Sequence, residues 1–119
     1  KKGNRKNFII LDVGMNNLMR PALYNAYHEI IPLKKNKRSF KGNLEFVGPI
    51  CESSDKFSSY KNFSHLKEGD YVCLNSVGAY GMSLSSNYNT RPIIAEIMIN
   101  GSKHKVIRKR QSLENLVNN

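Results

Sequence analysis

The chain lacks the features that would place it in a membrane, in a disulfide-bonded class or at a metal site. No apolar run approaches the roughly 20 residues that a membrane-spanning helix needs, and the first residues show no charged-then-apolar leader. Two cysteines among 119 residues are too few for a disulfide framework. The three histidines have no metal-ligand spacing with one another or with the cysteines. We therefore expect a cytoplasmic protein with reduced thiols, no metal site and no membrane partner.

Acidic residues are also scarce. Nine Asp and Glu stand against 19 Lys and Arg, for a formal net charge of +10. Such an excess attracts nucleic acid by long-range electrostatics. The basic residues are scattered in short groups near positions 1–6, 34–38 and 108–110 rather than gathered on one predicted face. A basic nucleic-acid-binding β module therefore stays only a remote alternative, and we expect no nucleic-acid partner.

Apolar residues make up 39% of the chain, below the usual share for a self-contained domain. The length fits one domain with a modest core. This combination indicates either a very polar surface or a domain that completes its core against another piece.

Turn signals and short apolar runs predict a mainly β domain, a barrel or a sandwich, with one or two short helices. Strands are predicted over residues 7–13, 30–33, 44–47, 70–74, 93–99 and 103–108. Helices are predicted over 18–27, with Pro21 in the first turn, and over 112–117, with Ser112 as the N-cap. Residues 34–43 read as a mobile surface loop. The pair Asn100-Gly101 predicts a hairpin with a type I′ turn.

A thiol and a carboxylate, Cys51 and Glu52, are adjacent within residues 48–55. Gly48 and Pro49 precede them and favour a turn. On a strand the two side chains would point to opposite faces, whereas on a loop both can reach one small volume. There a thiol can exchange a proton and a carboxylate can hold a cation. Taken alone, a cysteine is most often a small buried hydrophobe.

Two further groups carry polar chemistry. Arg20 and Tyr24 are four residues apart, so they share a face of the predicted helix and could bind a carboxylate. A surface arginine packed over a tyrosine ring is the plainer alternative. Tyr80 stands between glycines in residues 78–81, where its hydroxyl could bond a phosphate or carboxylate. A buried core tyrosine is equally expected there.

Four motifs in one order, residues 11–24, 48–55, 78–81 and 85–92, together resemble the diaminopimelate decarboxylase family. The resemblance extends from about residue 8 to residue 116. It implies the C-terminal β-barrel or sandwich domain of a fold type III pyridoxal-phosphate enzyme, similar to the C-terminal domain of alanine racemase. The implied activity is decarboxylation of meso-2,6-diaminopimelate to L-lysine and CO2, the last step of lysine biosynthesis.

The resemblance also implies roles for individual residues. Arg20 and Tyr24 would hold the distal carboxylate of the substrate, the one that is not lost. Glu52 would bind the amino group of the distal stereocentre. Cys51 would donate a proton to Cα after CO2 leaves, and Tyr80 would contact both cofactor and substrate.

The family's cofactor is pyridoxal 5′-phosphate, and its Schiff-base lysine lies in an N-terminal α/β barrel that nothing in this chain resembles. Residues 1–119 would then be a single C-terminal domain, inactive alone, in a homodimer whose active site lies at the subunit interface. A related ornithine, arginine or lysine decarboxylase is the nearest alternative, although those typically place Asp where this chain has Glu52. Ser54 stands where Gly is usual, so a positive φ at this position would be slightly strained.

Overall fold

The computed structural model describes residues 1, 3 and 6–118. Within them the chain forms seven strands: β1 (Asn7–Ile10), β2 (Ile30–Pro32), β3 (Ser39–Val47), β4 (Lys56–Ser64), β5 (Val72–Leu74), β6 (Glu96–Asn100) and β7 (Lys103–Arg108). Three short helices are α1 (Arg20–Tyr24), α2 (Gly78–Gly81) and α3 (Leu113–Val117), and single 3₁₀ turns cover Met82–Leu84 and Tyr88–Thr90. The mainly β prediction is confirmed, with one more short helix than expected.

The described strands form three separate small sheets rather than a closed barrel. The largest has the order β1-β3-β4, with β1 parallel to β3 and β3 antiparallel to β4. The second pairs β2 with β5, and the third is the β6–β7 hairpin. Because β1 and β3 are parallel, the segments that follow them leave from the same edge of the sheet.

The core lies against the three-stranded sheet. Leu44 and Phe46 share a face of β3, and the ring of Phe46 is fully buried. Its centroid lies 5.6 Å from that of Tyr60 and 4.8 Å from that of Phe63, both in edge-on geometry, the arrangement that aromatic quadrupoles favour. Leu18 and Ile30 bring the segments outside the sheet onto this cluster.

The sequence-based prediction failed most in this sheet. Residues 39–43, predicted as part of a mobile loop, are the first half of β3, and β4 was not predicted at all. Both segments are rich in polar residues, and the pairing shifts register between Lys41 and Leu44 and again at Val47. Such bulges break the alternation by which a strand is recognised. Pairs of side chains on neighbouring strands, such as Phe40 and Phe63, stabilise these strands although the local sequence pattern does not indicate them.

Local signals at the C-terminal end were more reliable. The hairpin is confirmed, but Asn100 pairs with Lys103 and only Gly101 has positive φ, at 60°. This is the pattern of a type II′ turn rather than type I′. The cap of α3 is also confirmed, because the side chain of Ser112 accepts a hydrogen bond of 3.0 Å from the backbone N–H of Asn115.

We predict that Phe46→Ala lowers the free energy of unfolding by about 3–5 kcal/mol, because truncation leaves a cavity under the two neighbouring rings. Urea denaturation of the full-length protein would measure it. Lys41→Ala, an exposed change on the same strand, is the matched control and should shift stability by less than about 0.5 kcal/mol. Equal effects of the two substitutions would contradict this account of the core.

Candidate active site

Three connecting segments meet beside the shared edge of β1 and β3. The first is the turn at residues 14–17, which leads into α1. The second is the loop at residues 48–55, between β3 and β4, and the third is the loop at residues 85–92. The chain leaving β1 is still paired to the end of β3 through a 2.8 Å hydrogen bond from Leu11 N–H to the carbonyl of Val47. The parallel pairing therefore brings the first two segments together.

Asp55 joins the first two segments. One carboxyl oxygen accepts the backbone N–H of Met15 at 2.7 Å, and the other accepts that of Ile50, also at 2.7 Å. The side chain is 2% exposed. A buried carboxyl group needs such donors, because water is not there to supply them. Gly48 has no room for a side chain beside this group, since an added Cβ would collide with the Asp55 carboxyl oxygens.

Cys51 and Glu52 lie at the exposed tip of the 48–55 loop. A 2.8 Å bond from Glu52 N–H to the carbonyl of Ile50 and a 3.2 Å bond from Asp55 N–H to the carbonyl of Glu52 shape the turn below them. Ser54 is not among the described residues that have a positive φ. Serine therefore occupies this position without left-handed strain.

The Glu52 carboxylate accepts a hydrogen bond from the hydroxyl of Tyr88, which lies in the 85–92 loop. This bond, with the carboxylate's negative charge and smaller contributions from burial and from the nearby Cys51, raises the pKa of Tyr88 above its ordinary value. The three side chains thus lie together. Tyr88 belongs to the motif at residues 85–92, but no role for it is predicted from the sequence.

Arg20 lies over the ring of Tyr80, with its guanidinium carbon 5.5 Å from the ring centroid. The packing of an arginine over a tyrosine therefore occurs, but the ring belongs to α2 rather than to Tyr24 on the same helix. Tyr24 and Tyr80 are 62% and 60% exposed. Neither tyrosine is a core residue, so both hydroxyls are open to a ligand. Within the described ranges no hydrogen bond or ion pair joins this group to the Cys51–Glu52 tip.

The predicted site residues Tyr24, Cys51, Glu52 and Tyr80 are all exposed at the surface. Of two surface cavities, one of about 360 Å³ lies between α1, β4 and Ser54 of the 48–55 loop, and one of about 750 Å³ lies beside β1 and the segment before β5. Neither is lined by the predicted site residues. Among the described residues no three His, Cys, Asp or Glu side chains gather where they could hold a metal. In the same part of the chain no helix is long and apolar enough to cross a bilayer.

Comparison with known proteins gives this geometry a context. A family model described as the pyridoxal-dependent decarboxylase C-terminal sheet domain matches residues 1–78. The chain belongs to this family. Diaminopimelate decarboxylase from Vibrio cholerae is 45% identical over 116 residues, which are 98% of this chain and 27% of that protein.

Two crystal structures of family members superpose on nearly the whole chain. Diaminopimelate decarboxylase from M. jannaschii, in complex with L-lysine, gives a TM-score of 0.92 at 33% identity, covering 98% of this chain and 26% of that one. The Helicobacter pylori enzyme, also complexed with L-lysine, gives 0.87 at 40% identity, covering 98% and 28%. The chain thus spans less than a third of the length of these decarboxylases.

We predict that Asp55→Ala destabilises the protein by about 3 kcal/mol, because it leaves the buried N–H of Ile50 and the partly buried N–H of Met15 without acceptors. Asp70→Ala is the matched control: its carboxylate also accepts a backbone N–H, from Lys67 at 2.7 Å, but at an exposed turn. Water can replace that bond, so the control should cost less than about 1 kcal/mol. Urea titration of the full-length variants measures the stability that each one loses. Equal losses would contradict the structural role of the buried Asp55 carboxyl group.

Proposed function

We propose that the full-length protein is a diaminopimelate decarboxylase and that this chain is its single C-terminal β domain. The observation that carries the proposal is the exposed Cys51–Glu52 pair at the tip of a loop whose base is clamped by a buried carboxyl group. A structural cysteine would be buried, whereas this thiol is available to a reacting atom. Similarity to enzymes of this name over nearly the whole chain supports the same assignment.

The chain's residues fit one side of a pyridoxal phosphate site. Tyr80 offers an exposed phenol beside the Arg20 cation, a donor set suited to a phosphate or carboxylate. The lysine that binds the cofactor would come from the α/β barrel of the full-length protein. When bound, pyridoxal phosphate supplies an electron sink for the pair released on decarboxylation. The chain's own residues would hold the substrate and move the proton.

The charges of the site match meso-diaminopimelate. Arg20, with the hydroxyl of Tyr24, would hold the distal carboxylate, because a guanidinium binds a carboxylate through two parallel hydrogen bonds. Glu52 would accept the distal ammonium group. Holding both groups of the distal stereocentre orients the other end of the substrate. The complexes of two relatives with L-lysine support a site for this end, since L-lysine retains it.

The overall step exchanges one carboxylate for one proton. The bond between Cα and the carboxylate carbon breaks, CO2 leaves, and the electron pair of that bond forms the new bond from Cα to hydrogen once a proton reaches Cα. Cys51 would donate that proton from its thiol, and the resulting thiolate would recover a proton from water. A proton donor that is positioned beside the reacting carbon speeds such a transfer.

We further propose that the protein is a cytoplasmic homodimer, with the 48–55 loop facing the cofactor of the partner subunit. Several large apolar side chains are exposed, and this supports the proposal that another protein chain covers part of the surface. On the β6–β7 hairpin, Ile97 and Ile99 are 53% and 75% exposed and lie on the same face as the half-exposed Val106. A monomer rarely leaves such a patch open. The free thiols of Cys51 and Cys73 are usual in a reducing compartment.

We predict that Cys51→Ala in the full-length enzyme lowers kcat by about 10²-fold or more, because it removes the positioned proton donor. Bound pyridoxal phosphate, measured by its absorbance, should be unchanged. Cys73→Ala is the matched control, because Cys73 lies in β5 and pairs across to Ile31. It should keep nearly the full kcat. Unchanged turnover by the Cys51 variant would remove this thiol from the mechanism.

Substrate preference separates the proposal from its nearest alternative, a decarboxylase of ornithine, arginine or lysine. We expect kcat/KM of the full-length enzyme to be highest for meso-diaminopimelate, because only this substrate uses both the cationic Arg20 and the anionic Glu52 at its distal end. Steady-state assays with each amino acid measure the order. Faster turnover of ornithine or lysine would contradict the proposed substrate and would favour that amino acid instead.

A further inference from the structure

The motif at residues 85–92 has no part in the chemistry described above, yet it reaches the site. The hydroxyl of Tyr88 donates a hydrogen bond to Oε1 of Glu52, which is 36 residues away in sequence. Both side chains are exposed, with Tyr88 44% open. An exposed glutamate without such a partner would sample many rotamers, since its three side-chain torsions are free.

The loop that carries Tyr88 is itself fixed on both sides. Before Tyr88, Ser86 N–H donates to the carbonyl of Asn16 at 2.8 Å, and the Asn16 side chain returns a 3.3 Å bond to the carbonyl of Ser86. After it, the Arg91 guanidinium donates to the carbonyl of Asp12 at 2.6 Å. Asn16 is fully buried, so these contacts hold the loop to the turn that precedes α1.

The backbone immediately after Tyr88 is strained. Asn89 and Thr90 have φ values of 57° and 55°. Asparagine tolerates this left-handed region, but it is an outlier for a β-branched residue such as threonine. Strain of this kind persists only where the surroundings over-determine the conformation. The side chain of Asn87 closes the loop across the strained pair, through a 2.9 Å bond to the carbonyl of Arg91.

We propose that Tyr88 is a positioning residue that holds the Glu52 carboxylate in place for the substrate's distal ammonium group. The proposal rests on the function proposed above. A carboxylate has about four lone-pair positions, and one hydroxyl occupies one of them. Oε2 and the second lone pair of Oε1 stay open to the ammonium group. Because Glu52 is already ordered, substrate binding does not have to immobilise it.

The test is Tyr88→Phe in the full-length holoenzyme, which removes the hydroxyl and keeps the ring. KM for meso-diaminopimelate should rise about tenfold while kcat stays within about threefold, because the Glu52 contact is equally present before and during the reaction. The probe that separates positioning from a structural role is 2-aminoheptanedioate, used as a competitive inhibitor, which lacks the distal amino group. Its inhibition constant should change less than about twofold. Tyr71→Phe, an exposed tyrosine of the segment before β5, is the matched control and should leave both constants unchanged.

A double-mutant cycle completes the test. In a Glu52→Gln background, Tyr88→Phe should no longer raise KM, because two residues that act through one contact are not additive. Equal weakening of meso-diaminopimelate and of the analogue, or full additivity with Glu52→Gln, would overturn the role of Tyr88. A wild-type enzyme that prefers another amino acid would instead overturn the proposed function, and the role of Tyr88 with it.

Discussion

The carboxyl group of Asp55 is the contact on which the site depends. Its two oxygens accept N–H groups from residues that are 40 and 5 positions away, so a single buried side chain closes the 48–55 loop and fastens it to the turn after β1. That turn continues into α1, because Leu18 N–H already bonds the carbonyl of Gly14 at 3.2 Å. The 48–55 loop, which carries Cys51 and Glu52, and the start of α1, which carries Arg20, are therefore both attached to the turn at residues 14–17.

The hydrogen bonds to Asp55 hold the base of the 48–55 loop while its tip is exposed. The loop satisfies its own backbone near the base, where burial makes an unpaired N–H costly, and leaves Cys51 open to solvent. The 85–92 loop then supports the tip from the other side through Tyr88 and Glu52. A thiol and a carboxylate are thus exposed together at a loop tip whose base and side are held by hydrogen bonds.

The rest of the surface has the same character. Only seven hydrophobic residues of the described chain are buried, while the β6–β7 hairpin and α3 expose apolar side chains such as Ile99 and Val117. The chain therefore has a small core together with outer faces that expose apolar side chains. This distribution agrees with a chain that matches less than a third of the length of its relatives.

Sequence patterns predicted the elements that local chemistry determines. The Ser112 cap, the hairpin at Gly101 and the Pro21 start of α1 all follow from one or two residues. β4 and the first half of β3 could not be predicted, because long-range pairing and bulges stabilise them rather than an alternating pattern. For the site, the four motifs identified the segments that meet. The clamp by Asp55 and the contact of Tyr88 needed the fold, since both join residues far apart in sequence.

A defined heterodimer tests the central claim, that this domain completes the active site of a partner subunit. One full-length subunit would carry Cys51→Ala, and the other would lack the pyridoxal-binding lysine of its barrel. Purified through two different tags, each heterodimer would hold one site with both parts intact. The account predicts about half of the wild-type decarboxylation rate, because a two-fold dimer has two equivalent sites. A rate no higher than that of the two parent variants would contradict it.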